Sequence, residues 1–288
     1  PTGVSNEAAK LKVVPAVQKK KKQRILKPPD RNRASVHANQ RKVERAVGRF
    51  LRSKAPGIAD QVTTAINKAD DPVKPQITDA QALARATAIA DALNLNWDDL
   101  TKDVSGPLTD MAQDGGRAGL KAAGVDDEGI TDLVNKRATT WAKNRAAELV
   151  GRKYVNDKLV DNPAPKWAIT ESTRDIVRGH VQQALQEGWS NATLRKALLE
   201  SDAFSPARAD MIARTEISLA DHAANNEAYQ AAPNVIGKVW LLSADHEQPD
   251  ECDDAADQGT IDKGDDFEAT GPPAHPNCNC TVAAVTES

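Results

Sequence analysis

The chain has 288 residues, with 3% aromatic and 27% charged side chains and three cysteines. No run of eighteen apolar residues occurs, so the sequence offers no helical membrane span, and an odd cysteine count argues for a reducing compartment over a secreted disulfide framework. The formal net charge of −3 hides a split: residues 1–54 hold 16 Lys/Arg against 3 Asp/Glu, and the remainder holds 22 against 38. Such asymmetry points to a polyanion or an acidic surface as the partner of the basic end.

Residues 1–34 read as a disordered basic arm. Lys19, Lys20, Lys21 and Lys22 are followed by Arg24, Lys27, Arg31 and Arg33, with Pro28-Pro29 among them. Like-charge repulsion and the prolines oppose folding there. The functional reading of these eight cations is non-specific, salt-sensitive contact with the phosphates of a nucleic acid. The plainer reading is a solubilising tail. The arm has no aromatic residue, so base stacking is not expected of it.

From Ser35, residues Val36, Val43, Val47, Phe50 and Leu51 recur at helical spacing. Pro56-Gly57 is expected to break this helix, with a second piece over residues 58–69 and a linker at Pro72 and Pro75. Residues 78–160 are expected to be all-helical. Thr78 or Asp79 caps one helix, residues 94–96 turn, and Trp97 begins the next, with Leu100, Val104, Leu108 and Met111 on one face. Gly115-Gly116 and Gly124 read as punctuation, and a long helix then carries Trp141, Ala146 and Leu149. Trp97 and Trp141 read as core anchors. Asn162-Pro163-Ala164-Pro165 reads as a second linker. Beyond it, Thr170 or Ser172 caps a helix ended by Gly188, and Ser190 caps another. Ser205-Pro206 is an N-cap followed by proline at the first helical position, opening a helix to about Ala231.

On that last helix Ile212, Glu216, Leu219 and Ala223 share a stripe, with Arg214 nearly opposite. A carboxylate on an apolar stripe needs a partner. Read functionally, Glu216 is a catalytic acid. Read structurally, it belongs to a buried ion pair, for example with Arg208 two turns earlier on the same stripe. The structural reading of Arg208, Arg214 and Glu216 is the favoured one, because structural networks also bury acids. After Pro233 the period changes. Residues 235–242 suit a short strand, and residues 260–261 and 281–285 could supply two more. Residues 244–268 contain 11 Asp/Glu and a single base, Lys263, without EF-hand spacing, and so read as a solvated acidic loop. The fold class that follows is mainly α with a small C-terminal α+β module: a helical N-terminal half and a short β-sheet near residues 235–285.

All three cysteines, and His222, His246 and His275 among the five histidines, lie within residues 214–285. Cys252, His275, Cys278 and Cys280 supply one imidazole and three thiolates, the four-ligand tetrahedral set of a structural zinc with no open position. Zinc there would clamp an acidic loop that has little apolar content to hold it. The alternative is ordinary thiols or a disulfide through Cys252, since C-x-C is less diagnostic than paired C-x2-C knuckles. A cysteine nucleophile with His275 as base is the enzymatic option, and no cysteine-protease signature accompanies it.

Taken together, Arg214-Thr215-Glu216 on a helix, Lys238-Val239-Trp240 on a strand, Cys252 in a loop and the closing run Pro272-Pro273-Ala274-His275-Pro276-Asn277-Cys278-Asn279-Cys280 resemble the phage Mu F-like minor head proteins, or phage head morphogenesis proteins. The resemblance covers about residues 170–285. Two positions depart from the family pattern: Ala255 stands where a second loop cysteine is common, and Asn279 where arginine is usual. The resemblance implies a domain over residues 166–288, after a helical region at 35–160 and the arm at 1–34. It implies a non-enzymatic minor capsid protein of a tailed bacteriophage, made in the host cytoplasm and placed in the virion head interior or at the portal vertex. The implied partners are the portal protein, capsid or scaffold proteins and packaged double-stranded DNA. Two alternatives stand beside it: an ADP-ribosyltransferase-like or other toxin enzyme, and a host nucleic-acid-binding protein.

Overall fold

The computed structural model describes residues 22–68, 77–246, 249–269 and 271–288. Lys19, Lys20 and Lys21 of the basic cluster lie outside the described residues. Among them the order is β1 (Gln23–Ile25), α1 (Ala34–Lys68), α2 (Asp79–Asp91), α3 (Asp98–Ala122), α4 (Glu128–Leu149), β2 (Arg152–Val155), β3 (Lys158–Asp161), α5 (Ile169–Glu187), α6 (Asn191–Leu199), α7 (Pro206–Ala231), β4 (Val235–Leu241), α8 (Glu251–Asp257), β5 (Thr260–Asp262) and β6 (Thr281–Glu287). The fold is mainly α, with a small antiparallel sheet in the order β1-β6-β4-β5.

Helix α7 is the central element, packed against α1, α3 and α4. Its start follows from local chemistry: the Ser205 side chain accepts from the Arg208 amide, and Pro206 needs no donor at the first helical position. Its small residues Ala213, Ala220, Ala224 and Ala228 are fully buried. They let α3 approach closely. A Cβ at Gly115 would lie 2.6 Å from the Asp221 carboxylate, and one at Gly119 would lie 2.8 Å from the Ala228 methyl. These α3 glycines therefore form the contact seam of two helices, where the sequence pattern suggests a break between helices.

The expected break at Pro56-Gly57 is also absent, and α1 runs unbroken through both residues. Both face solvent, while Leu51, Ala55, Ile58, Ala59 and Val62 continue the buried stripe on the other side. Packing of that stripe outweighs the local cost of the proline. Trp97 is buried and meets Phe50 edge-to-face at 5.5 Å, whereas Trp141 is only partly covered.

Two further expectations fail. Residues 152–161 are not helical but form the β2–β3 hairpin, turned at Asn156 and Asp157, both with positive φ. That is the backbone of a two-residue hairpin turn, for which Asn and Asp are suited. Residues 22–34 are not a free arm. Gln23, Arg24 and Ile25 pair with Glu287, Thr286 and Val285, so the basic segment supplies an edge strand to the C-terminal sheet. The strands expected near 235–242, 260–261 and 281–285 are present as β4, β5 and β6. Part of the acidic loop between them folds as α8.

Candidate metal centre and the groove beside it

Helix α8 carries the first candidate ligand. The Asp250 side chain caps it and accepts from the Cys252 amide at 2.7 Å, which points Cys252 into the module's core. The others come from the loop ahead of β6. There the Cys278 amide closes a turn on the His275 carbonyl, and Asn277 adopts positive φ. The structure brings Cys252 Sγ and Cys278 Sγ to 3.5 Å, with one His275 ring nitrogen within 4.8 Å of both. All three cysteines are free and buried. Cys280 is adjacent, its thiol interacting with those of Cys252 and Cys278, but it falls outside that close trio.

The donor types suit zinc: two soft sulfurs and one imidazole form the close trio, and the third sulfur lies outside it. Burial, and then the neighbouring Cys278 thiol, push the Cys252 thiol above its ordinary pKa. A cation is what would favour the thiolates in this setting. His275 Nε2 lies 3.1 Å from Asp250 Oδ2, and Nδ1 lies 3.0 Å from the Pro276 carbonyl. A second group, His246 with Asp250 and Asp253, adjoins the first through Asp250. There His246 Nε2 is 2.8 Å from Asp253 Oδ2, and this bond raises the imidazole's pKa.

Glu216 is buried on α7, but Arg208 is not its partner. Arg145 of α4 meets it with two bonds, Nε to Oε2 at 2.7 Å and Nη2 to Oε1 at 2.6 Å. Burial draws the Arg145 guanidinium pKa down, but Glu216 outweighs that and holds it above its ordinary value. The remaining Arg145 donor reaches Glu148 and the Lys166 carbonyl. Both carboxylate oxygens of Glu216 are thus engaged by one guanidinium. Sequence reasoning misses Arg145, although it shares the apolar stripe of Ala138, Ala142 and Leu149 at helical spacing. Arg208 instead donates to the Thr173 and Ser172 hydroxyls and to the Ala203 and Ile169 carbonyls. Arg214 is half-exposed and pairs with Asp210 one turn away.

The expected DNA-contacting cations separate into groups. Lys22, Arg24 and Lys27 are exposed. Arg31 and Arg33 turn inward. Arg31 donates to the Cys280 carbonyl and the Ser218 hydroxyl at 2.9 and 2.8 Å. Arg33 bridges Asp114 and the buried Asp221 at 3.0 and 2.7 Å. These two arginines tie the incoming chain to α3, α7 and the cysteine loop, so they are not phosphate ligands of a loose arm.

The Arg-Thr-Glu helix and the cysteine loop also touch each other, the Asn277 amide donating to the Thr215 hydroxyl at 3.3 Å. Motifs some sixty residues apart thus converge at one place. The family model of Phage Mu protein F like protein matches residues 175–283. The chain carries a Phage Mu F-like region. The match supports the resemblance read from the motifs. It begins within α5 and ends within β6, so Arg145, Arg31 and Arg33, which complete the site, come from outside it. No curated protein and no solved structure matches the chain. No helix among the described residues is long and apolar enough to cross a membrane.

Proposed function

We propose that this chain is a minor head protein of a tailed bacteriophage, a structural component associated with the portal vertex and with packaged DNA. The observation that carries the reading is the match over residues 175–283, whose motif residues meet around α7 and the cysteine loop. The engagement of Glu216 by Arg145 supports a structural role for the Arg-Thr-Glu helix over an enzymatic one. Cys252, His275, Cys278 and Cys280 would hold one structural zinc, which would fasten α8 and the loop before β6 to the sheet. Non-specific DNA contact falls to the lysines at 19–22 with Arg24 and Lys27, the cations left after Arg31 and Arg33 are assigned inward.

The test is a phage carrying a deletion of this chain. The expected result is heads that are malformed or that fail to package and deliver DNA. Normal heads with normal DNA delivery would overturn the reading.

A further inference from the structure

Lys238 of β4 is 3% exposed, yet among the described residues its hydrogen bond goes to a neutral amide. Its Nζ lies 2.7 Å from Asn226 Oδ1, across the turn that joins α7 to β4. The Asp266 carboxylate is farther off, at 4.0 Å, and is exposed. The Phe267 ring lies nearby, its centroid 5.9 Å from Nζ. Burial draws the Lys238 pKa below its ordinary value, and Asp266, Asp265 and Asp262 offset this only in part. A buried ammonium ion held against a neutral amide is costly, and the uncharged amine is the form that burial favours.

Asn226, Lys238, Asp266 and Phe267 all border one surface cavity of about 240 Å³. His222, one turn before Asn226 on α7, lines it too. That imidazole is buried, and its Nε2 has no partner among the described residues. A neutral amine seated on an amide carbonyl is a nucleophile in place. The carbonyl carbon is one bond beyond the oxygen that Nζ touches, so the reacting atoms lie near the roughly 3–3.5 Å from which such attack proceeds.

We propose that Lys238 and Asn226 join in an intramolecular isopeptide bond. Lys238 Nζ attacks Asn226 Cγ as the neutral amine. The Nζ–Cγ bond forms, the Cγ–Nδ2 bond breaks, and Nδ2 leaves as ammonia. Of the two amine protons, one stays on the new amide and the other ends on the departing nitrogen. Asp266, the carboxylate beside Nζ, is placed to carry it. No oxidant or other reactant is required. The product has no charge at Nζ, which removes the cost of the buried ammonium, and the ammonia is lost to solvent through the cavity. The bond fastens the end of α7 to β4, and so the helical body to the C-terminal sheet, by a link independent of any metal and of the phage-head reading.

Intact-mass spectrometry of the purified full chain, followed by trypsin digestion under denaturing conditions, tests it. The chain is expected to be lighter than its sequence by one ammonia. No Lys or Arg lies between Arg214 and Lys238, or between Lys238 and Lys263. Trypsin does not cut after an acylated lysine. The linked chain is therefore expected to give one peptide over residues 215–263 and not the separate peptides 215–238 and 239–263. This distinguishes the bond from succinimide formation, which also releases ammonia but leaves Lys238 open to cleavage. Asn226→Ala, a change at a half-buried position, is expected to restore both the full sequence mass and the cut at Lys238. Lys238→Arg keeps the charge and is expected to show its full sequence mass. The unaltered chain decides the matter even where a variant misfolds. Full mass with cleavage at Lys238, after prolonged incubation at mildly alkaline pH, would overturn the proposal. So would a Lys238 that stays uncut in Asn226→Ala.

Discussion

The helical body and the C-terminal module are held together by different means. The body has one continuous apolar cluster drawn from α1 to α7, with side chains such as Leu51, Trp97, Leu108, Met111, Leu149 and Ile217 fully covered. The module has a separate cluster in which three of twelve buried members are cysteines. Apolar burial at roughly 25 cal/mol per Å² can hold the first, but the second has a small core under an acidic segment. That contrast is the ground for proposing a cross-link in the module, where the thiols and the imidazole converge.

Metal removal should separate the two regions most strongly. With zinc in place, a chelator is expected to abolish the near-UV signal of Trp240, which packs on Phe267 at 5.4 Å, while the helical far-UV signal persists. Cys278→Ser should do the same without chelator. Coincident melting of both signals, unmoved by chelator, would contradict separate means of support.

Next in size is the brace between the regions' shared helix and the body. Glu216→Ala leaves Arg145 buried without its main partner and is expected to cost about 3–5 kcal/mol in denaturant unfolding. Smaller is Gly115→Ala, where the added methyl meets Asp221 side-chain and backbone atoms. Its expected cost is about 1–3 kcal/mol, read in the same assay, as α3 and α7 are forced apart. Replacing Lys19, Lys20, Lys21 and Lys22 by alanine should leave stability unchanged. It should also lower the salt slope of DNA binding, by about 0.9 for each phosphate that is no longer neutralised. An unchanged slope would remove DNA from the role of this segment.

The smallest effect is a pH dependence local to α8. His246 has a raised pKa in the folded chain through its bond to Asp253. A raised folded pKa means the contribution is fully present below the unfolded histidine value and is lost as pH rises through the folded one. His246→Gln should flatten that small slope in thermal melts between about pH 6 and 8.

The same contrast governs what the sequence discloses. The bounds of α7 are legible because Ser205 and Pro206 act on their own helix. Strands β4, β5 and β6 are legible because their apolar residues change period after Pro233. Strand β1 is not: three exposed residues gain their structure from partners at 285–287, more than 250 positions away. The prolines and glycines mislead for a related reason. Pro56 sits on the outward face of a packed stripe, and Gly115 and Gly119 serve a neighbour that local pattern does not reveal. At the site, the sequence brings forward the four candidate ligands and the buried character of Glu216. It does not pair Glu216 with Arg145, because side chains 71 positions apart meet only through tertiary packing.

Reconstruction of the virion, without imposed symmetry, tests the central claim most directly. The account predicts density for this chain inside the head at the portal vertex, with its N-terminal lysines toward the DNA. Mature virions lacking the chain altogether, or holding it outside the head, would contradict it.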